Sequence, residues 1–209
     1  MFNCPEARLL VPVQGRFAGK FKDHPLKPLG SVLPHSIPQL ETRRLLIRAH
    51  LATDLDPAAR MWADSEVTRF IGGKPRSRSE VWTTIQRNIG SWWLLGYGFW
   101  AITDRSDGRF LGEIGFLEGL RDLSPGHEGT PEMGWCLAPS AWGSGIASEA
   151  VAVALDWFDR TLGTKCVCII EPDNKASVRV AERNGFAWDY DATGPSGSIG
   201  VFRRPALAQ

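Results

Sequence analysis

Six consecutive residues, Trp142-Gly143-Ser144-Gly145-Ile146-Ala147, have the composition of an anion cradle. Gly143 and Gly145 lack a Cβ, so the backbone there can approach a ligand closely. The first turn of the helix that follows leaves N–H groups unpaired and carries about half a positive charge. Together these would seat a phosphate or a pyrophosphate. The same glycines would also serve a tight turn with no ligand, and these six residues alone leave both readings open.

Other candidate chemistry is sparser. Gly143-Ser144-Gly145, with Glu171 closing the next strand, has the outline of a dinucleotide fingerprint. Against it, Pro139 to Trp142 lengthen the turn, and the strands upstream read as an antiparallel meander, not parallel crossovers. No Gly-Lys-Ser/Thr follows, which excludes a P-loop. Glu113 lies mid-strand in an apolar run, where a buried carboxylate has a raised pKa and wants a partner. His24, His35, His50 and His127 form no evident relay; His127 either lines a pocket or is an ordinary loop residue. Cys166 and Cys168 lack the spacing of a metal site and read as small apolar residues in a reducing compartment, so no metal is expected.

The elements that must position these groups follow from hydrophobic period and turn residues. A strand at 44–48 precedes a helix capped by Asp54, with Pro57 in its first turn, and then a short piece over 65–71. Ser77 or Ser79 opens a helix whose Val81, Trp82, Ile85, Ile89, Trp92 and Trp93 define one apolar face, ended by Gly96. Strands over 97–103 and 110–117 flank the hairpin turn Ser106-Asp107-Gly108. A polar loop over 119–130 leads to a third strand over 132–137. A helix from Ile146, stopped by Gly163, precedes a buried strand over 166–170. A helix over 174–184, ended by Gly185, and strands over 186–190 and 199–203 complete the chain. This order is a mixed sheet with helices on both faces.

The 209 residues carry 24 Lys+Arg against 23 Asp+Glu, a formal net charge of +1. That balance argues against a nucleic-acid partner, which needs a basic surface. No apolar run approaches the roughly 20 residues of a membrane span, and Met1 to Leu10 does not read as a secretory signal, so a cytoplasmic protein is expected. Residues 1–39, with Pro5, Pro12, Pro25, Pro28, Pro34 and Pro38, read as an extended arm, and residues 40–209 as one domain. Nine Trp are more than a core of this size commonly holds, and an excess can wall a ligand cleft or a subunit interface, so a homodimer stays open.

Several motifs now fall in order. They are Thr42-Arg43-Arg44-Leu45, Glu132-Met133-Gly134-Trp135, Trp142 to Ala147, Asn174 to Ser177, and Gly185-Phe186. In this order and spacing the chain, over about residues 40–205, resembles the GNAT N-acetyltransferase superfamily. Within it the chain is similar to the RimJ/RimL-like branch, whose members acetylate ribosomal-protein N-termini. The resemblance implies the GNAT fold: a twisted, mostly antiparallel sheet of six or seven strands whose splayed pair forms an acetyl-CoA cleft. It implies acetyl-CoA as cosubstrate, its pyrophosphate on the N–H groups of Gly143, Ser144, Gly145, Ile146 and Ala147 beside Trp142. Its pantetheine would bond backbone near Leu137 and Pro139, and Asn174 and Ser177 would approach it from the next helix.

The implied reaction is direct attack of a primary amine on a thioester, through a tetrahedral intermediate. The acceptor would be a peptide N-terminus or a small-molecule amine. Glu132 matches the family's acidic position and is the expected base, directly or through water, with Glu113 as rival. The oxyanion would be held by a backbone N–H near Cys136 or Leu137. Relatives place a Tyr or Ser seven residues after the Asn, and this chain has Ala181 there. Ser177 or water would then protonate the leaving thiolate, with Tyr97 and Tyr190 as further donors. The same departure supports an alternative, a non-catalytic acyl-CoA-binding module of this fold.

Overall fold

The computed structural model describes residues 36–195 and 197–206. Eight strands form one sheet in the order β1-β2-β3-β4-β5-β6-β8-β7. They are β1 (Leu40–Glu41), β2 (Leu45–Arg48), β3 (Phe99–Asp104), β4 (Phe110–Leu117), β5 (Glu132–Leu137), β6 (Cys166–Ile170), β7 (Ala187–Gly194) and β8 (Gly197–Arg204). Every neighbouring pair is antiparallel except β5 with β6. The helices are α1 (Leu55–Trp62), α2 (Ser65–Thr68), α3 (Arg78–Leu95), α4 (Ile146–Thr161) and α5 (Lys175–Arg183).

Alternation along the strands divides the interior into two layers. Trp100, Ile102, Ile114, Phe116, Met133 and Leu137 face α4, meeting Val151, Leu155, Trp157 and Phe158. Ala101 and Cys136 point the other way, toward Ala58, Met61 and Trp62 of α1 and Val81 and Ile85 of α3. Trp92, Trp100 and Trp157 pack edge to face, with ring centroids 4.6 to 5.4 Å apart. These three Trp thus serve the core. Cys136, Cys166 and Cys168 are buried free thiols.

Caps and stops explain the helix ends. Ser77 and Glu80 form a reciprocal capping box at the start of α3, and Gly96 closes it with φ +78°. The apolar face of α3 is narrower than its sequence suggests. Val81, Ile85 and Trp92 are buried with Asn88, whereas Trp82 and Trp93 are exposed. Adjacent residues diverge by 100° on a helix, so Trp82 and Trp93 cannot share the stripe of Val81 and Trp92. Asp54 also departs from expectation. Its carboxylate accepts from Arg48 and from Leu51 N–H, closing a short 3-10 turn over Ala52–Asp54 that leads into α1.

Most of the 1–39 arm lies outside the described residues. Its last residues touch the domain: Ile37 packs on the core, and the Pro38 carbonyl accepts the Trp100 indole N–H at 2.8 Å.

Candidate active site

The parallel pair is where the sheet opens. β5 and β6 register only at Glu132 and Val167, next to a bond from Val167 N–H to the Pro131 carbonyl. Beyond that vertex the two strands separate, leaving β5 edge groups without strand partners up to Leu137. Orphaned strand edges call for an extended ligand that brings its own amides. Leu137 marks the far limit, because its carbonyl accepts the Trp142 indole N–H at 2.9 Å.

Past Leu137 the chain makes a single 3-10 turn over Pro139–Ala141 and reaches the cradle. Gly143 and Gly145 take positive φ, +71° and +79°, which only glycine adopts at little cost. A Cβ at Gly143 would meet nothing within 4 Å, so the loop faces open space. Gly145 occupies the N-cap of α4 with no side chain bonded to the first-turn N–H groups. Those donors are free for an anion, and the α4 macrodipole favours one there.

A brace absent from the sequence-based list holds this cradle. Arg44 donates through Nη1 to the Ser144 carbonyl at 2.8 Å and through Nε to Glu149 at 2.7 Å. Thr42 Oγ1 donates to the same carboxylate. Burial pushes the Glu149 carboxyl up, but Thr42 and Arg44 outweigh it and hold it below the usual range. A charged Glu in the first turn of α4 would otherwise repel an anionic ligand, and Arg44 offsets it. The motif Thr42-Arg43-Arg44-Leu45 held the signal, but only the fold shows its target.

On α5 the Asn174 side chain accepts the Ser177 N–H at 3.1 Å, capping the helix. Asn174 and Ser177 are both half-buried at the start of α5. Ala181 is fully buried in the α4-side core. A Tyr there would have to displace packed side chains. Neither expected tyrosine is a ready donor. Burial pushes Tyr97 up to about 12, and the Tyr190 hydroxyl donates to the Gly126 carbonyl.

At the vertex, Glu132 is 3% exposed. Arg121 grips it with two bonds, Nε to Oε2 and Nη2 to Oε1, each 2.7 Å. His127 Nε2 lies 3.2 Å from Oε2. Burial pushes the carboxyl up, but the His127 bond and the Arg121 pair outweigh it, and Glu132 stays below the usual carboxylate range. A carboxylate held this way is a weak proton acceptor. Arg121 was not foreseen, because a cation in a polar loop carries no sequence mark of its target.

Glu113 is the contrasting case on the same sheet face, opposite Cys136. It is fully enclosed and accepts one bond, from Trp62 Nε1 at 3.3 Å, with Oε1 unpartnered. Burial dominates, and its pKa is pushed up to about 7 despite Trp62 and the nearby Arg76 and Arg87. His50 is buried with neither ring nitrogen bonded, and burial pushes it down to about 4, so it is neutral. Among the described residues no cluster of His, Cys, Asp or Glu could hold a metal ion, and no helix is long and apolar enough to cross a membrane.

A mixed sheet with one splayed parallel pair and a glycine cradle at the following helix defines an acyl-CoA-type acetyltransferase scaffold. The sequence agrees: residues 44–187 match the family described as the acetyltransferase (GNAT) domain, and the chain belongs to that family. It is 29% identical over 164 residues to YkkB of Bacillus subtilis, a protein with no characterised role, covering 76% of this chain and 91% of that one. A GNAT-family acetyltransferase of Bordetella pertussis superposes with a TM-score of 0.71 at 27% identity, over 80% of this chain and 99% of the other. A RimL-type ribosomal-protein α-N-acetyltransferase, solved with coenzyme A, superposes with a TM-score of 0.66 at 18% identity, over 82% and 100%. RimL-type ribosomal-protein acetyltransferases are thus among the solved structures that share this fold.

Proposed function

We propose that the protein is an acetyl-CoA-dependent N-acetyltransferase acting on a primary amine. The observation that carries this is the continuity of the cleft. Free helix N–H groups at Gly145 to Ala147 lie at one end, unpaired β5 edge in the middle, and the clamped Glu132 at the vertex. Acetyl-CoA supplies an activated acetyl thioester. Gly143, Ser144, Gly145, Ile146 and Ala147 would hold its pyrophosphate, with Trp142, 47% exposed, beside it. The β5 backbone up to Leu137, and Pro139 after it, would bond the pantetheine amides. Asn174 and Ser177 would close over its far end from α5, leaving the Ser177 hydroxyl to hand a proton to the departing sulfur.

The acceptor reaches the vertex from the side of the 118–131 loop. With Glu132 paired to Arg121, Glu118 and Glu128 leave this side acidic, which favours a cationic amine. Burial, with Glu128 and Glu132 nearby, pushes Glu118 above its ordinary range even as the Gly129 N–H and His127 oppose it. Both protein N-termini and small amines meet this requirement. The decisive test is release of free CoA thiol from acetyl-CoA against a panel of free-α-amine peptides and small polyamines, with the acetylated product read by mass spectrometry. Turnover with at least one amine is expected. Tight acetyl-CoA binding with no turnover on any amine would leave only a binding module.

A further inference from the structure

Glu132 has three donor contacts, yet one atom beside it has none. His127 is 8% exposed, its side chain 4%, and its Nδ1 is buried without a partner. The tautomer follows from chemistry. An ionised Glu132 can only accept, so the nitrogen that faces it, Nε2, must carry the hydrogen. Neutral His127 then presents a bare lone pair at Nδ1 in a buried setting. Orphaned buried polar atoms are rare enough in folded proteins to require a reason.

From this geometry we propose that His127 Nδ1 is the general base, with Glu132 and Arg121 as positioning residues. The proposal deepens the transferase reading and rests on it. Nδ1 takes one proton from the acceptor ammonium, and the lone pair this frees on nitrogen forms the new C–N bond. The C–S bond breaks with its electron pair left on sulfur. The second amine proton reaches that thiolate through the Ser177 hydroxyl, which gives its own proton to sulfur and takes the amine's, leaving the free thiol, and His127 returns its proton to solvent. Glu132 stays ionised and balances the imidazolium that forms, while Arg121 fixes the carboxylate plane. This explains why the family's acidic position is here too well clamped to be the base itself.

The backbone of the 118–131 loop is held for this task. Thr130 N–H donates to the His127 carbonyl, Tyr190 Oη donates to the Gly126 carbonyl, and Ser124 pairs with Thr193 of β7. The charged and titratable groups around His127 are Glu132, Glu118, Glu128 and Arg121, with the Cys168 thiol beyond Glu132 on β6.

The test is His127→Gln in the full chain, using the best amine of the panel. Gln keeps a donor for Glu132 but has no basic nitrogen. Turnover should fall roughly 10²–10⁴-fold, with the acetyl-CoA dissociation constant unchanged and the base-dependent rise of kcat/KM with pH lost. In wild type, ¹⁵N NMR of the imidazole should show a hydrogen on Nε2 and none on Nδ1. A His127→Gln enzyme with wild-type turnover and an intact pH limb overturns the base assignment, as does a hydrogen on Nδ1 of the neutral ring. A wild-type protein that turns over no amine at all overturns the transferase reading and this proposal with it.

Discussion

The two ends of the β5–β6 cleft are built around the same pair of residue types, an arginine on a glutamate, to different effect. At the cradle, Arg44 and Glu149 are 37% and 23% exposed, and the guanidinium also grips a backbone carbonyl. That brace shapes a loop whose own N–H groups are left free for an anion. At the vertex, the Arg121 side chain is 41% exposed while that of Glu132 is 4% exposed, and the third member is the His127 imidazole. That brace holds a buried carboxylate ionised. Water screens the first pair and largely spares the second carboxylate. The same ion pair therefore acts as scaffolding at one end and as electrostatic control at the other.

The largest expected break in this comparison is Glu132→Gln. It keeps the shape but removes the charge and turns one of the two acceptor oxygens into a donor, and turnover should drop about 10²–10⁴-fold with acetyl-CoA affinity kept. Steady-state kinetics beside calorimetry with acetyl-CoA checks both halves. Unchanged turnover would mean the vertex charge has no catalytic part. Glu132 also predicts a pH effect on stability. Its folded pKa is below the unfolded value, so its contribution is present above the ordinary carboxylate range and is lost as pH falls through the folded pKa. Thermal melts across acidic pH should show wild type losing more stability than Glu132→Gln.

Gly145→Asp attacks the other end. A carboxylate at φ +79°, beside the free N–H groups of α4, should weaken acetyl-CoA binding on the order of 10²-fold, given the several kcal/mol that like charges cost at an interface. Its kcat at saturating acetyl-CoA should be nearly preserved. Calorimetry giving wild-type affinity would separate the cradle from the cofactor.

Glu113 serves as the unbraced control. Its folded pKa of about 7 exceeds the unfolded value of 4.5. The unfolded chain therefore loses this proton first, and stability falls between those two values as pH rises, then stays low. Glu113→Gln should remove that loss, gaining on the order of 1–3 kcal/mol at pH 8 and little at pH 4. Turnover should change only a few-fold, because Trp62 and Cys136 close the carboxyl off from any amine. Urea melts at the two pH values test the first statement. The smallest effect is expected for Arg44→Ala, about 1 kcal/mol in acetyl-CoA affinity, as for an exposed pair. Acetyl-pantetheine, which lacks the pyrophosphate, should not sense that substitution.

The same division governs what could be read from the chain. The cradle is a run of six residues, and its chemistry is local: two glycines and a helix start. Strands 110–117, 132–137 and 166–170 were legible for a similar reason, since alternation and turn residues are local signals. The vertex is assembled from Arg121, His127 and Glu132, brought together by a polar loop with no period at all. Sequence reading found Glu132 by family position and left His127 between two meanings. What fixes His127 is the ionisation state of its neighbour, and that depends on burial and on Arg121, neither of which has a sequence signature. Trp82 and Trp93 failed differently: spacing placed them on a face too wide for one α-helix to bury.

The hold of β7 on the 118–131 loop has a consequence for the order in which the molecule becomes competent. Synthesis delivers the cradle, α4 and both walls of the cleft by Ile170. The strands that pin His127's loop, through Thr193 and Tyr190, emerge only afterward, as does β8, which pairs with β6. Because a domain folds as a unit, a chain still lacking this hairpin carries every cradle residue but not the partners that fix the His127 loop.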